Sequence, residues 1–352
     1  MAAKIDMDLE AELEALEVGH ENMEVKNLVE VLRDESEEKG GTKKVQNGAQ
    51  DKVDYRVYYD GIEHEFKRSE DCEFSFRELK MDSPDLVEVI EKMNTFIEHL
   101  KSECTEHGPQ MLCTKQSNVK WMELRKERVT SSGFGRIAKR KKIDPPESML
   151  KFMQKNLNPV KYQGDIESLH YGRLLESNGV KRYQSANPES QVKETGIWVN
   201  SQFPWMGGSP DGIVFDRIKD EEGLLEVKCP LRGKGSDFAS VVDQKGFYML
   251  KDKDGKYTLD KKNEYYYQIQ GCLSILNKEF CDFVISTGYD IYVERIKKDD
   301  EFFKAMKRKL REYYYRFMLP YLANRPVLEG RKWQYTFVSK EVYENKFSED
   351  DK

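Results

Sequence analysis

No run in the 352-residue chain approaches the roughly 18 consecutive apolar residues that span a bilayer, which excludes a transmembrane-helix protein. The first residues do not read as a secretory signal either, since Asp6, Asp8 and Glu10 follow Lys4 where an apolar run would be needed. Cysteine is sparse. The six residues Cys72, Cys104, Cys113, Cys229, Cys272 and Cys281 include no pair at C-x2-C spacing, and no histidine lies near enough to complete a zinc signature. These absences predict an intracellular protein with reduced thiols and no membrane partner. Excess basic charge is missing too, with a net charge of −6. That total hides an asymmetry. The first forty residues hold 13 acidic and 4 basic side chains, a balance of −9 that leaves the rest of the chain at +3. A mildly basic body permits a nucleic-acid partner without requiring one.

What is present supports a sizeable core: 38% of residues are apolar and 35% are charged. Residues 1–50 are acidic and poor in aromatics, which predicts a disordered tail. Within that tail Leu9, Leu13 and Leu16, then Val25, Leu28 and Leu32, have partial helical spacing suited to a partner-binding segment. Residues 51–114 read as a small accessory region. It holds a short hairpin around Asp60-Gly61 and a helix opened by Ser83-Pro84, with Leu86, Val87, Ile90, Met93, Ile97 and Leu100 as its apolar stripe. Residues 115–330 change texture. Helical patterns near 131–140, 147–157, 165–184, 264–277 and 299–323 bracket strand patterns near 196–200, 212–216, 223–229, 280–287 and 290–297. Strands in the middle with helices around them predict an α/β or α+β sandwich. Residues 331–352 read as a polar C-terminal extension.

The chemistry concentrates in Ser209-Pro210-Asp211-Gly212 and Leu224-Leu225-Glu226-Val227-Lys228-Cys229-Pro230. On a strand, Leu225, Val227 and Cys229 face one side while Glu226 and Lys228 face the other. A hairpin between the two segments, turning around 216–223, brings the carboxylates of Asp211 and Glu226 together. Two carboxylates beside one lysine suit metal-assisted phosphodiester hydrolysis. Hard oxygen ligands hold Mg²⁺ or Mn²⁺, and the lysine orients the attacking water. The backbone carbonyl of Val227 lies between the two side chains and offers a further ligand. Taken alone, D…E-x-K recurs by chance in so charged a chain, and Ser83-Pro84-Asp85 repeats the tripeptide with no Glu-x-Lys strand after it.

Several segments in fixed order are more specific. Trp121-Met122-Glu123-Leu124-Arg125 with Val129-Thr130-Ser131-Ser132, then Gly172 to Glu176, Ser209 to Gly212, Leu225 to Pro230, and Tyr265-Tyr266-Tyr267-Gln268-Ile269-Gln270 together resemble the lambda exonuclease / YqaJ viral recombinase family of PD-(D/E)XK nucleases. The resemblance implies a restriction-endonuclease-like core, a central mixed sheet flanked by helices. It implies Asp211, Glu226 and Glu176 as metal ligands, Lys228 positioning the water, Gln268 orienting the lysine or water, and Arg125 with Ser132 binding a terminal 5′-phosphate. It further implies Mg²⁺, duplex DNA ends as partner, a homo-oligomer (a trimer in the lambda-type enzyme) and a single-strand annealing partner. Lys139-Arg140-Lys141-Lys142 reads as a backbone-phosphate contact, an import patch or a solvated helix end. The runs Tyr265–Tyr267 and Tyr313–Tyr315 read as packing residues, with base stacking the alternative. Three functions fit these residues: a 5′→3′ exonuclease on duplex ends serving recombination or repair, a structure-specific endonuclease of the same superfamily, and an inactive nucleic-acid-binding or adaptor protein. The presence of every acidic position, the lysine and the glutamine argues against the last.

Overall fold

The computed structural model describes residues 55–59, 62–66, 84–141, 152–153 and 166–329. Its labelled helices are α1 (Pro84–Ser102), α2 (Val119–Lys126), α3 (Ser131–Ala138), α4 (Ile166–Ala186), α5 (Glu264–Leu276), α6 (Asp300–Tyr313) and α7 (Leu319–Glu329). The second half forms one sheet of β1 (Ser190–Lys193), β2 (Gly212–Asp216), β3 (Glu221–Lys228), β4 (Phe280–Ser286) and β5 (Ile291–Lys297), in the order β5-β4-β3-β2-β1. Every neighbouring pair is antiparallel except β3 and β4, which run parallel. A parallel pair needs a long crossover. The chain between Cys229 and Glu279 supplies it, and α5 is its main element. The result is a mixed α/β fold with a five-stranded sheet; four of the predicted strands join it, while the 196–200 pattern forms Ile197–Asn200, which pairs with Pro109–Cys113 instead.

β3 is central and its two faces divide as the alternation requires. Leu225, Val227 and Cys229 join Val214, Val284 and Tyr183 in one cluster, against Leu175 and Val180 of α4. Leu224 belongs to the larger core on the other face, with Ile269, Cys272 and Leu273 of α5. β4 is buried along its whole length, so its one acid must be satisfied. Asp282 accepts from Arg295 Nε at 2.8 Å and Nη2 at 2.9 Å, and from Tyr183 Oη at 2.6 Å. The β2–β3 hairpin closes through Asp220, whose φ of 54° is left-handed, and Asp216 Oδ1 accepts from the N–H groups of Ile218 and Lys219.

Two close approaches set the helices on the sheet. A Cβ at Gly179 of α4 would lie 2.6 Å from Val227 Cγ1, so glycine lets α4 sit directly on β3. A Cβ at Gly271 of α5 would lie 2.4 Å from the Phe134 ring, so α5 and α3 are equally close. Asn263 caps α5 by accepting from Tyr265 N at 3.0 Å, and Asn277 ends it in the left-handed region.

The accessory helix joins the main core. Val89, Met93, Ile97 and Leu100 of α1 are buried, and Asn324 in α7 donates to Val89 O at 3.0 Å. Residues 55–59 and 62–66 form the antiparallel hairpin expected around Asp60-Gly61. The long C-terminal helical stretch differs from the pattern reading. It runs as α6, a π-helical turn at Tyr314–Met318 and then α7 as far as Glu329. Tyr313, Tyr314 and Tyr315 are all buried there, with Trp205 stacked on Tyr314 at 5.4 Å. The expectations for residues 1–50 and 331–352, and for the 147–157 helix apart from 152–153, lie outside the described residues. Among the described residues no helix is long and apolar enough to cross a membrane.

Candidate active site

The turn carrying Asp211 is held from several sides. Gln116 Nε2 donates to Pro210 O at 2.9 Å and to Thr195 O at 3.3 Å. Trp121 Nε1 donates to Ser209 Oγ at 3.0 Å. Asp211 N donates to Leu225 O at 3.0 Å, which locks the turn to β3. In return, Val227 N donates to Asp211 Oδ2 at 2.7 Å. The hairpin pairs Gly212 with Leu225, so the two predicted carboxylates stand beside each other.

Glu226 is 1% exposed. Its Oε1 accepts from Lys228 Nζ and, at 2.6 Å, from Gln268 Nε2 on α5. Lys228 Nζ also lies 5.0 Å from the centre of the Tyr265 ring. Burial pushes the Glu226 carboxyl up to about 8. The negative charge of Asp211 adds to this, Lys228 opposes it, and Glu176 contributes a further upward push. Burial raises Asp211 as well, against the pull of Lys228 and the Val227 N–H. Burial alone would lower Lys228, but the charges of Glu226 and Asp211 outweigh it and hold the ammonium above its ordinary range.

Glu176 comes from α4, half-buried one turn before Gly179. Its charge is felt at both Glu226 and Cys229. The donor set fits a hard divalent cation: Asp211 and Glu226 both act on the Lys228 ammonium, and burial, with the added charges of Asp211 and Glu176, raises Glu226 above the carboxylate range. Asp211, Glu226 and Glu176 do not all bring oxygens within 4.8 Å of one another; among the described residues His99, Glu103 and Glu127 do. That second group already has its counter-charge. The fully buried Arg128 is ion-paired with Glu103 and lies 3.6 Å from Glu127.

Arg125 and Ser132 meet at the start of α3, where Arg125 Nη2 donates to Ser132 Oγ at 3.2 Å. The two-residue pairing of Val129-Thr130 with Met206-Gly207 places this pocket beside the strand entering the Asp211 turn. Ser132, Arg136 and Lys139 are exposed at i, i+4 and i+7 spacing, so a basic edge leads away from the pocket. Two residues of this neighbourhood carry no predicted role, Gln116 and Trp121, while Tyr265, expected to pack or to stack on a base, lies against the Lys228 ammonium. Trp121 stands four residues before Arg125, one helical turn away on the same face. That spacing was the available signal.

Residues 120–290 match the YqaJ-like viral recombinase domain. No curated protein matches the chain. Among solved structures, an alkaline exonuclease from Laribacter hongkongensis is 21% identical, with a TM-score of 0.44 over 60% of this chain and 98% of its own. The same protein in complex with dAMP gives 21%, 0.45, 61% and 100%. A phage-related exonuclease from Haemophilus somnus 129PT gives 14%, 0.36, 58% and 96%. Every residue predicted for the site falls inside the segment, residues 120–290, that is similar to the YqaJ-like viral recombinase domain.

Proposed function

We propose that this chain is a Mg²⁺-dependent deoxyribonuclease that digests duplex DNA from 5′-phosphorylated ends. One observation carries the reading: a buried glutamate is clamped by a lysine and a glutamine beside a second, half-buried carboxylate. A structural ion pair needs one acid and one base. Here two carboxylates act on one lysine and a third acid, Glu176, adds its charge at Glu226, an arrangement suited to a cation and a phosphodiester.

Asp211, Glu226, Glu176 and the Val227 carbonyl are the groups that would hold the ion. A divalent cation there supplies Lewis-acid polarisation of the phosphate and a lowered pKa for bound water. Lys228 orients that water and stabilises the charge that develops on the phosphate oxygens. Gln268 keeps Glu226 in place through its 2.6 Å hydrogen bond. Arg125 offers a planar fork of donors to the terminal phosphate, and Ser132 adds a hydroxyl where the first N–H groups of α3 are available to an anion.

The test is digestion of end-labelled linear duplex and of a covalently closed circle, with Mg²⁺ or EDTA. Metal-dependent release of nucleotides from the linear form alone is expected. Cutting of the closed circle would make the chain an endonuclease. Tight binding of both forms without metal-dependent cleavage would make it a binding protein.

A further inference from the structure

The indole of Trp121 touches both halves of the site. The Arg125 guanidinium carbon lies 4.1 Å from the ring centre, and the ring's Nε1–H donates at 3.0 Å to Ser209 Oγ, two residues before Asp211. The indole has little freedom. Trp121 N donates to the N-cap side chain of Asn118 at 2.7 Å, and the ring packs against Cys113, Leu124 and Ile197. Ser209 is 9% exposed and adjoins Pro210, whose carbonyl is held by Gln116. A rigid plane therefore joins the phosphate-binding arginine to the turn that presents the catalytic carboxylate. Leucine would offer neither a cation-binding face nor a donor. Phenylalanine would keep the face and lose the donor.

We infer that Trp121 is a positioning residue: it couples a 5′-phosphate held by Arg125 and Ser132 to the placement of the Asp211 turn. This rests on the nuclease reading above. A guanidinium drawn onto phosphate oxygens is fixed in one plane, and the stacked indole is fixed with it. The Nε1–H then holds Ser209, and through it Asp211, in register with the strand end. Phosphate at the end thus increases turnover as well as binding.

The test measures kcat and KM on duplexes with 5′-phosphate and 5′-hydroxyl ends for wild type, Trp121→Phe, Ser209→Ala and the double variant. Either single change is expected to lower kcat on 5′-phosphorylated ends about 3- to 10-fold, the range for one lost hydrogen bond. Losses in KM and in the rate on 5′-hydroxyl ends should be smaller, so that the preference for phosphorylated ends falls. The double variant should be no worse than either single one, because both remove the same bond. Equal losses on both kinds of end, or additive losses in the double variant, would reduce Trp121 to a packing residue. A wild type that discriminates between ends while Trp121→Phe behaves identically overturns the coupling alone. A wild type with equal rates on both ends, or with no cleavage, overturns end recognition and the coupling with it. Ser209→Ala probes the same bond should Trp121→Phe fold poorly.

Discussion

Replacing Glu226 with glutamine should stabilise the metal-free protein while abolishing its activity. Both donors to the side chain reach Oε1, so the amide oxygen of Gln can accept from Lys228 and Gln268 as the carboxylate does. What changes is the charge. Glu226 ordinarily titrates at 4.5, and burial with the neighbouring acids raises it to about 8 in the folded chain. Between those values the folded state holds a proton that the unfolded state has released. Stability is therefore greatest below 4.5 and falls as pH rises through 8. At pH 7 this strain is about 3 kcal/mol as an upper figure, from roughly 1.4 kcal/mol per pKa unit. Urea unfolding in EDTA should show Glu226→Gln more stable than wild type by about 1–3 kcal/mol at pH 8, with the gap closing toward pH 5. Nuclease activity in Mg²⁺ should fall by about 10³-fold, in line with loss of a preorganised electrostatic group. A variant less stable than wild type at pH 8, or a gap independent of pH, would refute the strained-carboxylate argument.

Gly179→Ala places a Cβ 2.6 Å from Val227 Cγ1 and should cost about 1–3 kcal/mol by calorimetry, with weaker Mg²⁺ binding as α4 and Glu176 move outward. Arg125→Lys keeps the charge but loses the planar fork and the stack on Trp121; preference for 5′-phosphorylated over 5′-hydroxyl ends should drop on the order of tenfold in competition digests. Arg136→Ala with Lys139→Ala should lower the slope of log affinity against log salt by about 1–2, with end preference intact, if α3 tracks the backbone.

Much of this organisation was legible because it is local in sequence. The alternation in Leu225 to Cys229 specifies a central strand with its polar pair on one face, and β2, β3, β4 and β5 lie where their apolar runs place them. β1 escaped the reading because Ser190–Lys193 is a half-exposed edge strand with a single apolar residue, and only its pairing with β2 defines it. The hydrogen bond from Trp121 to Ser209 spans 88 residues, and no periodicity reports such a contact. Tyr265 was read for packing or stacking. Its place beneath Lys228 follows from α5 crossing the polar face of β3, which is tertiary information. The raised Glu226 carboxyl likewise depends on burial together with three other charges, drawn from the Asp211 turn, β3 and α4.

The most direct test compares single-turnover hydrolysis of a 5′-phosphorylated duplex by wild type and Lys228→Ala in saturating Mg²⁺, with duplex affinity measured alongside in EDTA. Lys228 touches Glu226, feels the charge of Asp211 and lies 5.0 Å from the centre of the Tyr265 ring. Its removal is expected to lower the chemical rate by about 10²- to 10³-fold while affinity changes by less than about threefold. A Lys228→Ala protein that hydrolyses duplex at the wild-type rate would contradict the assignment of this constellation as the active site.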